Sequence, residues 1–331
     1  MFLLSGFYTY IIVFGQHIQE VQKVKVESIL QCPSCETSLK IRNQGFFCDK
    51  CDRQYSKRAG LYDFLLSGED QWARVGKGFM NGQEEMERRL LETPLEELSP
   101  SDRLIRAVAL WFKGDFEEYE KIAKESLKGV YTDEYNDAMK KSFDNTVDLV
   151  RQEEGIVLDL ATGMGGLLQK LLSSTERDFI SVDISPTSSL SLLQYLRFRN
   201  WDNRVVQLIA DAAHLPLRDK SIDVITTAVG FQNMQDAEPV FKEIRRVSRK
   251  LVALCIFMDK GDTNLAFVKD KSLHVADLFK KELEKVGWSA SLENTLRACV
   301  EPTPQSEILG IRPDRIPVVP TVFEFTTVVA E

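Results

Sequence analysis

The stretch Val157-Leu158-Asp159-Leu160-Ala161-Thr162-Gly163-Met164-Gly165-Gly166 constrains this chain more than any other. An apolar run containing an acid enters a turn of small residues, and Leu167, Leu168, Leu171 and Leu172 then recur at helical spacing. Strand, glycine loop and helix follow in that order, and Ile180-Ser181-Val182-Asp183 supplies a second strand ending in a second acid. Glycine lets the backbone approach a ligand where a Cβ would collide. A carboxylate closing the second strand can accept hydrogen bonds from ribose hydroxyls. The pattern predicts a parallel α/β sheet with a nucleoside pocket over its strand ends.

The detail of the loop separates two cofactor classes. Dinucleotide sites use G-x-G-x-x-G, which brings pyrophosphate to free helix N–H groups. Here the turn reads Asp159-x-Ala161-x-Gly163-x-Gly165, and an acid before the loop suits a cationic ligand better than a diphosphate. The segment resembles motif I of the class I S-adenosylmethionine (SAM) dependent methyltransferases, D/E-x-G-x-G-x-G, with Ala161 in place of the first glycine. Downstream, Val205-Val206-Gln207-Leu208-Ile209-Ala210-Asp211-Ala212 reads as a third strand ending in an acid. His214-Leu215-Pro216-Leu217-Arg218-Asp219-Lys220-Ser221-Ile222-Asp223-Val224-Ile225 reads as a turn and a fourth strand. This is similar to the D-A-x-x-L-P-F-x-D-x-S-F-D-x-V signature of the small-molecule-type methyltransferases, and the similarity spans about residues 155 to 260.

The resemblance implies a role for each matched position. Asp211 would take the adenine amino group and Ala212 would offer its N–H to the ring. Asp183 would hold the ribose, and Ile184 beside it belongs to the cofactor site. Asp159, with Ala161, Thr162, Gly163 and Gly165, would face the methionine end. One departure is plain: the family's R-V-L-K-P-G-G before the fifth strand is Arg246-Val247-Ser248-Arg249-Lys250-Leu251 here, so that connection is expected to be shorter or tighter.

Four of the six cysteines form Cys32-Pro33-Ser34-Cys35 and Cys48-Asp49-Lys50-Cys51, with twelve residues between the pairs. Each C-x-x-C turns two thiolates toward one ion, and two such turns complete a tetrahedron, so a structural Zn²⁺ ribbon is expected. Disulfides are the alternative in an oxidising compartment. Four cysteines leave no open ligand position, which makes the metal structural. Cys255 and Cys299 are expected to be inert.

The ribbon also looks like the head of the zinc-containing ribosomal-RNA guanine-N1 methyltransferases. The likeness runs through Gln54-Tyr55-Ser56-Lys57-Arg58-Ala59-Gly60-Leu61-Tyr62-Asp63-Phe64-Leu65-Leu66, although that family has His where this chain has Cys51.

These features divide the 331 residues into an apolar N-terminal extension (1–28), the zinc ribbon (29–68), a helical cap or lid segment (69–150) and a SAM-dependent methyltransferase domain (151–331). The expected fold class is α/β, a doubly wound seven-stranded Rossmann-like sheet carrying the ribbon and the helical segment. Strands are expected near 156–160, 179–183, 205–210, 222–228 and 251–257, then an antiparallel pair at 288–293 and 321–329. Ser99-Pro100-Ser101-Asp102 signals a helix start before Leu104–Phe112, and a further helix should cover Phe116 to Leu127. Another should run over about 272–286 and stop at Gly287. Residues 301–320 hold five of the eleven prolines and read as an ordered loop near the substrate.

Phe2 to Phe14 is apolar, but no Lys or Arg precedes Lys23, so the charged start of a signal peptide is missing. The run is shorter than the roughly 20 residues that span a bilayer. It reads as a peripheral strand or helix, or as the product of a misplaced start codon, in a cytoplasmic protein without a stable membrane span. Net charge is −8, and residues 84–154 alone carry 19 acids against 11 bases, so the rest of the chain is balanced. That acidity weighs against nucleic acid as the partner.

Methyl transfer from a sulfonium is an in-line displacement in which positioning supplies most of the acceleration. A base is required only if the acceptor must lose a proton. Phe231-Gln232-Asn233-Met234 follow the fourth strand, where ligands of such sheets bind. Asn233 could bond an acceptor or cap the next helix, and Phe231 could stack on a substrate or fill the core. Tyr131 and Tyr135 could close over the cofactor or pack a helix face, and His214 could act as a base if it points inward. Arg245, Arg246, Arg249 and Lys250, with Arg197 and Arg199, could hold phosphate or form a solvated helix end. Three functions stay open: methylation of a small-molecule acceptor, methylation of an RNA base gripped by the ribbon, and non-catalytic SAM binding. The acceptor atom and oligomeric state are not legible.

Overall fold

β5 (Val157–Leu160) is buried along its whole length, which marks a central strand covered on both faces. Around it a computed structural model, which describes residues 26–42, 45–67, 69–75 and 82–331, shows one mixed sheet with helices on both sides. The apolar Phe2–Phe14 run and Gly68 lie outside the described residues.

The ribbon contributes β1 (Lys40–Arg42), β2 (Gly45–Phe47), β3 (Gln54–Arg58) and β4 (Leu61–Asp63). Helices α1 (Glu69–Trp72), α2 (Glu84–Glu92), α3 (Pro100–Lys113), α4 (Phe116–Ile122) and α5 (Asp133–Gln152) follow. Alternation then begins after β5 with α6 (Gly166–Ser174), β6 (Phe179–Asp183), α7 (Pro186–Phe198), β7 (Val205–Ile209) and β8 (Ile222–Ala228). It continues with α8 (Ala237–Val247), β9 (Ser248–Phe257), α9 (Ala276–Lys285), β10 (Ala290–Val300) and β11 (Thr321–Ala330).

The sheet order is β1-β2-β3-β4-β7-β6-β5-β8-β9-β11-β10. β7, β6, β5, β8 and β9 are parallel, and β11 and β10 are antiparallel additions at one edge. Those seven strands are the ones expected from the sequence. Among the described residues the sheet nevertheless has eleven strands, because β4 pairs in parallel with β7, matching Tyr62 to Leu208 and Asp63 to Ile209. Leu61–Asp63 of the ribbon are thus a strand joining it to the main sheet.

Local chemistry sets the helix boundaries. Ser99 caps α3 by accepting from the Asp102 N–H, Pro100 occupies its first turn, and Gly114 ends it at φ +79°. The helix expected over 116–127 breaks after Ile122, and Glu125–Leu127 form a separate 3₁₀ turn. The helix expected from about 272 begins only at Ala276, since the Asp270 carboxylate accepts from both the Ser272 and Ala237 N–H groups and holds 271–273 in a 3₁₀ turn. α8 passes directly into β9 at Ser248, which is the tighter connection that the missing Pro-Gly turn implied.

Two apolar layers cover the sheet. One face packs Val147, Leu168, Leu171, Leu192 and Leu196 of α5, α6 and α7 against Val157, Phe179 and Val252. The other packs α8 and α9 against β5, β8 and β9, and its apolar cluster runs without a break into the ribbon through Leu30, Phe46 and Phe64. Phe231, Phe241, Phe257 and Phe279 meet within it at ring-centroid distances of 4.9–5.4 Å. Burying each such side chain stabilises the fold by about 1.5–3 kcal/mol.

Candidate functional site

Parallel pairing places the ends of β5, β6 and β7 side by side, with Leu160 opposite Val182 and Asp183 opposite Ile209. Asp183 and Asp211 therefore stand over one end of the sheet, beside the loop after β5. In that loop Ala161 takes φ +52°, Gly163 φ +55° and Gly165 φ +77°, all in the left-handed region. A Cβ on Gly165 would come within 2.8 Å of Leu192 Cδ1, whereas one on Gly163 would meet nothing within 4 Å. The loop thus leaves clear space above Gly163, on its ligand-facing side.

Asp183 is fixed by its backbone neighbours: Oδ2 accepts from the Gly163 N–H at 2.7 Å and Oδ1 from the Ser185 N–H at 2.8 Å. Each oxygen keeps a further lone pair for a ligand hydroxyl. Burial pushes its pKa upward. Ile184, beside it, is an exposed apolar side chain. Asp211 Oδ1 accepts from the Ala213 N–H at 3.0 Å, and Oδ2 lies 3.2 Å from His214 Nδ1. His214 is half exposed and sits on this side of the sheet, away from the cavity described below. Asp159 is 2% exposed, and burial pushes its carboxyl up to about 7. A desolvated carboxyl without a cation is a site that a cationic ligand group completes. The open space at Gly163, the paired acceptors on Asp183 and the charge-starved Asp159 all fit SAM.

A cavity of about 640 Å³ opens beyond the ends of β8 and β9. Val229, Gln232, Asn233 and Met234 line one wall, Ile256 and Met258 another, and Tyr131 and Tyr135 a third. The tyrosine rings stack at 4.5 Å and 13°, and Tyr135 meets Phe325 edge-on. The start of α5 is tied down, since the Thr132 hydroxyl donates to the Cys299 carbonyl and the Cys299 N–H to the Glu134 carboxylate. The tyrosines therefore form a fixed wall. The cavity and the glycine loop adjoin: a Cβ on Gly230 would lie 2.9 Å from Ala161 Cβ and 3.3 Å from the Leu160 carbonyl.

Loop 301–320 brings Asp314, Arg315 and Ile316 to the cavity and is gripped at both ends. Asp102, 1% exposed, accepts from the Ser306 hydroxyl and the Glu307 and Ile308 N–H groups. Asn264, fully buried, accepts from the Val318 and Val319 N–H groups and donates to the Val319 carbonyl. The Asp314 carboxyl and the Tyr131 hydroxyl both line the cavity, and burial raises the pKa of both. Burial lowers the pKa of His274, another lining residue, against a smaller opposing pull from Asp270. The cavity thus presents a neutral imidazole, a buried carboxyl and phenol, and walls in which apolar side chains stand beside Gln232, Asn233, Lys269 and Arg315. His274, Asp314 and Gly230 were not singled out from the sequence; His274 lies in a turn ahead of the helix that was expected to include it, and Asp314 in an aperiodic loop.

Two sequence candidates are placed differently. Phe231 is fully buried against Phe241 and Phe279, so it packs the core and does not stack on a substrate. Asn233 lines the cavity, but the cap of α8 is Asp236. Most of the basic cluster pairs with carboxylates within the chain, whereas Arg245 bonds the Gly287 carbonyl and lies over the Trp288 ring. Arg246 pairs with Glu243 and Asp219, Arg249 with Asp223, Lys250 with Glu153 and Glu331, and Arg199 with Glu120.

Cys32, Cys35, Cys48 and Cys51 converge, with all four Sγ atoms within 4.8 Å of one another. Cys32 and Cys51 are 3.6 Å apart and Cys35 and Cys48 3.4 Å. Four thiolates about 2.3 Å from one tetrahedral ion stand about 3.8 Å apart, so the set fits Zn²⁺. Tyr55 and Thr37 hydroxyls lie 3.1–3.2 Å from Cys32, Cys35 and Cys48, placed to support thiolate charge. Cys255 is fully buried and its thiol pushed up to about 12, which makes it unreactive.

The strand order β7-β6-β5-β8-β9-β11-β10, with a glycine loop after β5 and acids closing the next two strands, defines the class I SAM-dependent methyltransferase fold. Residues 158–256 match the family described as a methyltransferase domain, and this segment is one. The chain is similar to the demethylmenaquinone methyltransferase of Thermotoga maritima, 37% identical over 101 residues, which are 30% of this chain and 42% of that one. The demethylmenaquinone methyltransferase of Porphyromonas gingivalis is 32% identical over 102 residues, with the same coverage. A methyltransferase-like protein of Schizosaccharomyces pombe is 27% identical over 179 residues, 54% of this chain and 62% of that one. The chain spans about two-fifths of the length of the two bacterial relatives. Among the described residues no helix is long and apolar enough to cross a membrane.

Proposed function

We propose that this protein methylates a small, largely apolar acceptor held in the cavity beyond β8 and β9. The observation that carries this reading is that Val229 lines the cavity while the next residue, Gly230, packs against the glycine loop. SAM supplies a methyl group already activated on a sulfonium, so the chain's task is to bind, orient and exclude water. Asp183 and Ile184 would take the ribose, Asp211 and Ala212 the adenine, and Asp159 with Ala161, Thr162, Gly163 and Gly165 the cationic methionine end. The apolar side chains and stacked tyrosines shape the acceptor side. His274, kept neutral by burial, accepts the proton that a hydroxyl acceptor or its activated ring carbon must lose. Asp314 and Tyr131 orient the acceptor's polar end.

The four-cysteine site would hold a structural Zn²⁺, and thiolates suit a reducing, cytoplasmic setting. Residues 29–68 would serve as the ribbon, 69–150 as the acceptor-side cap and 151–331 as the catalytic domain. The internal pairing of Arg246, Arg249, Lys250 and Arg199 favours a small acceptor over RNA, because a phosphate grip needs free cations.

The names of the bacterial relatives make a demethylmenaquinone-type naphthoquinol the first acceptor to offer, beside a cell extract separated into RNA, protein and small molecules. Labelled methyl from SAM is expected in the quinol or the small-molecule fraction. His274→Ala should lower kcat by about 100-fold, within the usual worth of a general base. Label in RNA would overturn the reading.

A further inference from the structure

Segment 210–215, which carries Asp211 and Ala212, is held at both ends by backbone pairing to the ribbon. Ahead of it, β4 pairs with β7, and the Phe64 N–H donates to the Ile209 carbonyl at 2.8 Å. Behind it, Leu30 bridges Leu217. There the Gln31 N–H donates to the Pro216 carbonyl at 3.0 Å and the Arg218 N–H to the Ile29 carbonyl at 2.8 Å. Cys32 follows the second of these pairings directly, and its own N–H donates to the Thr37 carbonyl inside the cysteine turn. Side chains repeat the link: Leu30, Cys32, Cys48, Tyr55 and Phe64 share one apolar cluster with Leu215, Leu217 and Ala210.

We propose that the cysteine site and the cofactor site are energetically linked through this clasped segment, so that zinc and cofactor each strengthen the binding of the other. With four thiolates gathered by one ion, residues 29–32 are held extended and pin 216–218. Without the ion the thiolates separate, the pairing loses its anchor, and Asp211 no longer keeps a fixed distance from Asp183. The clasp thereby makes the ribbon a positioning element for the adenine end of the site. This rests on the cofactor reading above.

Linkage makes the proposal testable without any methyl acceptor, because the effect must be reciprocal. S-adenosylhomocysteine affinity is measured by calorimetry on the full chain, zinc-loaded, after chelator treatment, and after zinc is restored. Circular dichroism checks that the fold persists throughout. We expect about tenfold weaker binding without zinc, recovery on its return, and an equal gain in zinc affinity, read against a competing fluorescent chelator, when S-adenosylhomocysteine is present. Arg218→Pro removes one clasp hydrogen bond and leaves every cysteine in place. It should keep stoichiometric zinc while weakening S-adenosylhomocysteine severalfold. Equal affinities with and without zinc, or a zinc affinity indifferent to S-adenosylhomocysteine, would overturn the linkage and leave the cofactor reading intact. Absence of binding to the zinc-loaded protein would overturn both.

Discussion

Asp159→Asn isolates the cost of the most unusual charge in the site. The substitution keeps shape and removes a carboxyl that burial has raised from 3.8 to about 7. At about 1.4 kcal/mol per pH unit, that displacement amounts to about 4 kcal/mol. Because the folded pKa lies above the unfolded one, the folded state holds the proton more tightly. The stabilisation is complete below about pH 3.8 and is lost as pH rises through 7. The asparagine variant has no such dependence. Its stability relative to the wild type should therefore grow by about 3 kcal/mol between pH 5 and pH 8 and change little above that. Burying the amide offsets about 1–3 kcal/mol of the gain at every pH. Urea unfolding at several pH values, paired with calorimetry of S-adenosylhomocysteine, reads both sides. The variant should gain stability at pH 8 while losing cofactor affinity, and wild-type affinity should itself fall below pH 7 as the carboxyl protonates. A stability difference that does not vary with pH would refute a desolvated Asp159. Undiminished affinity in the variant would refute its place beside the cationic end.

Gly230→Ala tests the packing of this residue against the glycine loop. The new Cβ would come within 2.2 Å of Thr227 Oγ1 and 2.9 Å of Ala161 Cβ, so overpacking of about 1–3 kcal/mol and a displaced glycine loop should appear as a lower Tm and weaker S-adenosylhomocysteine binding. Asp102→Ala leaves the Glu307 and Ile308 N–H groups and the Ser306 hydroxyl without their buried acceptor. A loss of about 3 kcal/mol in urea unfolding is expected, with faster proteolysis of loop 301–320; an unchanged midpoint would refute the clamp.

Where local chemistry decides, the sequence was readable. Ser99-Pro100 marked the start of α3, and strands 179–183, closed by Asp183, and 222–228 lie at the expected residues. The ribbon's union with the main sheet was not readable, because β4 has three residues and its partner lies far along the chain. β10 was cut short for a different reason. Asn294 adopts φ +53° and the register shifts between Glu293 and Leu296, so alternation changes phase midway and the run to Val300 no longer reads as one strand. The cavity shows the same limit. Val229 and Asn233 stand after a recognisable strand, but Asp314 reaches it only because Asp102 and Asn264 hold an aperiodic loop in place.

The parallel seam between β4 and β7 also governs how molecules of this protein meet. Without the ribbon, β7 would present a row of unpaired amides at the margin of the sheet, a template for strand addition between chains. With it, the outermost strand on that side among the described residues is β1, three residues long and bearing Lys40 and Arg42, both paired with Asp49. At the opposite margin β10 is bent by its bulge and carries Arg297. Both margins are thereby poor partners for another strand, and a chain trimmed of its first 66 residues would expose β7 and self-associate.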